Sequence, residues 1–134
     1  MQLQFTLAAE QQISALRARH KTAYEAFERD LVARGCAALD YRLTGTGVDH
    51  FCVKHLRDSM RVVVAFDTET AWVLLVARHD ATSPMDVYAQ IYRSSGVEPP
   101  KEPRTKPPCC DEAEQPPQSA TEEVDHLVRR LRNS

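Results

Sequence analysis

The sequence predicts an α+β domain of order β-α-α-β-β-β-α, an antiparallel sheet packed on a two-helix hairpin, then a proline-rich tail and a short C-terminal helix. Three observations predict it. Residues 62–66 and 73–77 are unbroken apolar runs bounded by the turn-like RDSM and DTET, the pattern of strands covered on both faces. Residues 7–34 carry apolar side chains at helical spacing with capping residues before them. Seven of the eight prolines fall between Pro99 and Pro117, whereas every long apolar run precedes Val97.

QLQFT alternates and reads as a first strand, with Thr6 as the N-cap of a helix over about residues 7–19. Leu7, Ile13 and Leu16 share one side of that helix. TAYE, residues 22–25, reads as a capping box that opens a second, antiparallel helix through about Arg34. Phe27, Leu31 and Val32 form its apolar face, and Gly35 supplies a left-handed stop. YRLTGTGVDH reads as a loop broken by Gly45 and Gly47. HFCVKHL, RVVVAF and AWVLLVAR then follow as three strands separated by gaps of about four residues, so an antiparallel meander is the simplest topology. A last domain helix is expected in TSPMDVYAQIYRSSG, with Ser83 as N-cap, Pro84 at the first helical position and Gly96 as stop.

Three segments follow from this: a domain over residues 1–97, an extended or disordered linker over 98–118, and a short amphipathic helix over 119–134. In the last, Ser119 and Glu122 read as a capping box, and Val124, Leu127, Val128 and Leu131 fall at i, i+3, i+4 and i+7. A helix this short is marginal alone. Residues 121–132 are therefore expected to dock on their own domain or on a partner.

Charge narrows the function classes. Residues 1–97 hold 11 Lys+Arg against 11 Asp+Glu, so the domain is neutral and wholesale wrapping of nucleic acid is not expected. A local basic patch is compatible with this. No apolar run reaches membrane-spanning length, and MQLQFTLAAE lacks a cationic start and a long apolar core. Cys36, Cys52, Cys109 and Cys110 show no metal-ligand spacing and are expected as reduced thiols in a cytoplasmic protein.

The chemistry concentrates in residues 50–80, where Lys, His and Arg cluster at the ends of apolar strands. Arg61 opens a strand with a fork that matches phosphate geometry. His79 titrates near neutrality and is able to act as base or acid. Lys54, His55, Arg57 and Arg78 add positive charge, although strand alternation keeps Lys54 and His55 on opposite faces. Each residue also has an ordinary reading. Arg61 is a solvated residue at a turn, His79 a surface or capping histidine, Tyr88 half-core on an amphipathic helix, and Trp72 sheet packing.

The ordered set resembles the RelE/ParE superfamily of bacterial toxins from type II toxin-antitoxin systems, with the RelE, HigB and YoeB-like branch favoured. The resemblance covers about residues 2–95. It rests on Leu43 and Gly45 before the sheet, residues 54–57, Arg61 opening RVVVAF, Arg78 and His79 closing VLLVARH, and Tyr88 in DVY. It implies an mRNA endoribonuclease acting on the ribosome without metal or cofactor, by attack of a ribose 2′-OH on the adjacent phosphate. Arg61, His79 and Tyr88 would then be catalytic, and Lys54, His55, Arg57 and Arg78 would bind phosphate. The implied protein partner is a cognate antitoxin, and residues 98–134 look like an antitoxin's masking segment in miniature. The same resemblance leaves open a ParE-like inhibitor of DNA gyrase, or a non-toxic interaction module.

Overall fold

The computed structural model describes residues 1–102 and 105–132. Pro103 and Arg104 of the expected linker, and Asn133 and Ser134 of the expected last helix, lie outside the described residues. The elements are β1 (Gln2–Phe5), α1 (Leu7–Ser14), α2 (Ala18–Arg34), a 3₁₀ turn (Gly35–Ala38), β2 (Tyr41–Arg42), β3 (Phe51–His55), β4 (Met60–Asp67), β5 (Thr70–Arg78), α3 (Val87–Ser95) and α4 (Thr121–Arg130).

The sheet runs β1-β5-β4-β3-β2. The expected meander is its centre: β3, β4 and β5 pair antiparallel. The sheet as a whole is mixed, because β1 lies parallel to β5 and not antiparallel. It has one strand more than expected, because Tyr41 and Arg42 of the presumed loop pair with Val53 and Cys52.

Alternation sorts the core into two layers. On one face, Val53, Val63, Ala65, Leu75 and Ala77 pack with Val87, Tyr88 and Ile91 of α3 and with Leu127 of α4. On the other, Cys52, Met60, Val62, Val64 and Val76 pack with Tyr24, Phe27 and Leu31 of α2. The sheet is thus covered on both sides rather than resting on a helix hairpin, which is why residues 62–66 of β4 and 71–77 of β5 are apolar without a break.

Thr6 caps α1 as expected, accepting from Ala9 N and donating to the Leu74 carbonyl. The helix boundaries differ beyond that point. α1 stops at Ser14 and α2 begins at Ala18. Thr22 is therefore inside a helix, its hydroxyl bonded back to the Ala18 carbonyl, and makes no capping box. Leu7 and Val32 are exposed, at 41% and 48%. Gly35, at φ 59°, closes α2, and Gly96, at φ 69°, closes α3. α3 starts three residues later than Ser83 and Pro84 suggest, with Asp86 as its N-cap. α4 is capped by Ala120 without a side-chain bond, so the expected Ser119 box does not form.

The cysteines overturn the expectation of reduced thiols. Cys36 is bonded to Cys110 and Cys52 to Cys109, with Cα–Cα separations of 5.3 and 5.7 Å, ordinary for disulfides. Neighbouring residues of an extended chain point to opposite sides, so the adjacent pair reaches two different elements instead of closing on itself. The described residues of the proline-rich segment are held against the domain. Pro107 O accepts from Arg42 N, and Ser119 N donates to Phe66 O, both at 2.7 Å. Cys109, Val124, Leu127 and Leu131 are all buried.

Candidate active site

Strand pairing sets the site. His55 on β3 lies opposite Arg61 on β4, and Arg61 lies opposite Ala77 on β5. The ladder continues one step past β5, where His79 N donates to the Ser59 carbonyl at 2.8 Å. Alternation therefore puts His55, Arg61 and His79 on the face that carries α3. Arg61 stands directly across from the His55 imidazole, with neighbouring strands about 4.8 Å apart, and His79 lies two positions beyond Ala77, the residue opposite Arg61.

Each side chain is held by a specific partner. Asp86 accepts from His79 Nδ1 at 2.8 Å, from Asp80 N at 2.7 Å and from Ala89 N at 3.1 Å. Burial pushes the Asp86 carboxyl up, but these hydrogen bonds outweigh it and hold the group below the ordinary aspartate value. An ionised Asp86 accepts the His79 Nδ1–H and turns Nε2 away from the helix cap. The edge of the His79 ring meets Tyr88 at a centroid distance of 4.8 Å.

Tyr88 and Tyr41 share a hydrogen bond of 2.5 Å, and Tyr41 shares another with His55 Nε2 at 2.9 Å. The three groups form a chain able to carry its protons in either direction. His55 is held below the ordinary histidine value, first by burial and then by the positive charge of Arg61, with smaller contributions from Lys106 and Lys54. Asp40 opposes this, yet it also fixes the strand by accepting from His55 N at 2.7 Å. One nitrogen of Arg61 donates to the Asp58 and Met60 carbonyls. Its Nε is buried and has no hydrogen-bond partner among the described residues.

Of the seven residues selected from the sequence, the structure brings together His55, Arg61, His79 and Tyr88. It does not bring the rest. Lys54 points to the opposite face, 3.6 Å from Asp40, and lines a groove beside α2 with Arg57 and Asp30. Arg57 lies in the β3–β4 turn, outside the strand, so the alternation that would have placed it beside His55 no longer applies. Arg78 alternates away from Ala77 and lines a separate cleft with Gln12 and Asp80.

Tyr41, Asp86 and Lys106 are the members that sequence reasoning missed. Asp86 carried a signal: an aspartate three residues before Ala89 in an amphipathic run is a good N-cap, but Ser83-Pro84 competed for that role. Tyr41 carried none, because a two-residue strand has no periodicity to detect. Lys106 lies in the tail, 18 residues or more from every other member of the cluster, and Lys106 Nζ sits 5.3 Å from the Tyr41 ring centroid.

Among the described residues no helix is long and apolar enough to cross a membrane. No protein family matches the chain, and no curated protein and no solved structure is significantly similar to it.

Proposed function

We propose that the protein is an endoribonuclease of RelE/ParE-like type, the toxin of a toxin-antitoxin pair that arrests translation by cutting mRNA. The observation that carries this reading is the buried Arg61 Nε without a partner among the described residues, directly across from His55 and on the same sheet face as His79. An unpaired buried donor is costly unless a ligand completes it, and a phosphate matches the guanidinium fork.

The reaction needs a base, an acid and a cation. His55 suits the base, since burial and flanking cations keep it unprotonated. In the arrangement where His55 Nε2–H donates to Tyr41, and Tyr41 to Tyr88, the lone pair lies on Nδ1. His55 takes the 2′-OH proton, and the 2′-oxygen forms a bond to phosphorus. The P–O5′ bond breaks, and the 5′-oxygen takes the Nε2 proton of His79 acting in its imidazolium form, while Asp86 keeps hold of the Nδ1–H. Arg61 binds the phosphoryl oxygens as charge grows on them. The products are a 2′,3′-cyclic phosphate and a 5′-hydroxyl, with no metal or cofactor used. Tyr88 is only 3% exposed, so it acts as a positioning residue that orients His79 and Tyr41 and does not meet the RNA.

The expected setting is the cytoplasm, which keeps thiols reduced, so both the bridged and the reduced protein belong in the assay. Full-length protein is incubated with single-stranded RNA, alone and with translating ribosomes, and the ends are mapped. The reading predicts cyclic-phosphate ends, an uncut 2′-deoxy substrate and loss of at least about a hundredfold in rate for Arg61→Ala or His79→Ala. Intact RNA under every condition would sink it. If induction of the Arg61→Ala/His79→Ala double variant in a bacterial host still arrests growth, a gyrase-type inhibitor replaces it. If no form arrests growth although the protein is folded, a non-toxic module does.

A further inference from the structure

The strap that precedes α4 does more than close the edge of the sheet. Thr105 O accepts from Thr44 Oγ1 at 2.9 Å, and Pro107 O accepts from Arg42 N at 2.7 Å. Two residues after Pro107, Cys109 is bonded to Cys52, whose neighbour Val53 pairs with Tyr41. Lys106 lies between these anchors. Its ammonium sits over the Tyr41 ring, 5.3 Å from the centroid, a favourable place for a cation. Among the described residues no carboxylate lies within ion-pair distance of Lys106. By contrast Lys54, the lysine that the sequence offered for this role, is already paired with Asp40 and faces the other way.

We propose that Lys106 is a phosphate-binding cation of the candidate active site, delivered by the strap, and that the Cys52–Cys109 bridge keeps it there. This rests on the nuclease reading and deepens it. The ligand is a backbone phosphate of single-stranded RNA next to the one held by Arg61. The geometry leaves Lys106 little freedom: only Pro107 and Pro108 separate it from the buried Cys109, and an extended chain covers only about 3.3–3.6 Å per residue. With this bridge open, the hydrogen bonds to Arg42 and Thr44 and the Cys36–Cys110 bridge remain as the nearby anchors. Each bridge opens by taking two electrons and two protons from a dithiol, which becomes a disulfide.

The test uses the full chain with both bridges closed and an RNA oligonucleotide made uncleavable by 2′-O-methylation. Dissociation constants are measured against salt for the native protein, Lys106→Met, Lys106→Arg, Arg61→Ala and Cys52→Ser/Cys109→Ser, and the His55 ring is titrated by NMR. One phosphate contact changes the log–log salt slope for a single strand by about 0.7. Lys106→Met is therefore expected to bind about fivefold more weakly at 0.1 M salt, with the slope reduced by that amount and the His55 titration moved upward. Lys106→Arg restores binding, and Lys106→Met costs less binding once the Cys52–Cys109 bridge is removed. If Lys106→Met binds like the native chain while Arg61→Ala is weakened, the assignment of Lys106 is wrong and the nuclease reading stands. If the native chain binds no RNA, the nuclease reading fails and takes this assignment with it. Lys106 is exposed, so its variants fold even if the serine pair does not.

Discussion

Asp86 does two things with one carboxylate. It caps α3 through Ala89 N and it holds His79 through Nδ1. Asparagine caps helices about as well as aspartate, which allows the two roles to be separated. Asp86→Asn is expected to retain a melting temperature within a few degrees of the native protein. Its RNA cleavage rate should fall about ten- to hundredfold with little change in KM, because the imidazole loses its orienting charge. A parallel thermal melt and cleavage assay checks this. Loss of fold together with rate would mean that the cap, not the imidazole, is what Asp86 supplies. Arg61, His55 and His79 were legible at this scale as chemistry at strand ends. Their grouping followed from strand alternation once the register was known. Lys54 and Arg57 failed for the same reason, one falling on the wrong parity and the other beyond the last paired residue.

The two ends of the tail illustrate what an element needs from its surroundings. α4 is 10 residues long, too short to persist alone. Its stripe is fixed by Val124, Leu127 and Leu131, which are 1%, 3% and 0% exposed. The end of the helix is tied further, since the Leu131 carbonyl accepts from Ala8 N at 3.0 Å. Leu127→Ala is expected to cost about 2–4 kcal/mol, read as a shift in urea midpoint at unchanged slope. A change below about 0.5 kcal/mol would show that α4 is not part of the cooperative unit. The amphipathic stripe of α4 was plain in the sequence. The strap before it was not. Prolines and charges describe an unpaired chain, and nothing local says that Cys109 and Cys110 have partners 57 and 74 residues away.

For the molecule as a whole, the site sets a pH dependence. His55 has a folded pKa below its ordinary value near 6.5, because burial and Arg61 disfavour the imidazolium. Between the folded pKa and the unfolded one, the unfolded chain binds the extra proton. Stability from this group is therefore full above about pH 6.5 and is lost as the pH falls below it. Asp86, lowered by its hydrogen bonds, contributes in a separate and more acidic window: its share is present above the ordinary value of 3.8 and is lost as the pH falls through the folded pKa. Urea unfolding at pH 7.5 and 5.5 is expected to show the native protein losing stability relative to His55→Gln on acidification. Equal pH dependence in the two proteins would remove the proposed burial of His55 among cations. The cleavage rate should likewise fall on the acid side, as His55 takes up the proton it must lack to act as base.

By itself the sequence determined the strands of the meander, the stops at Gly35 and Gly96, the cap at Thr6 and the apolar stripe of α4. These are set within a few residues, by side-chain alternation, helical period and φ preference. Tertiary structure alone decided that β1 runs parallel to β5, that two residues of a presumed loop form β2, that both faces of the sheet are covered, and which cysteines meet. It also decided the membership of the site. Tyr41, His55, Arg61, His79, Asp86 and Lys106 come from β2, β3, β4, the end of β5, the cap of α3 and the tail. No local period links them, because what joins them is the register between strands and two bridges, both of which exist only once the chain has folded.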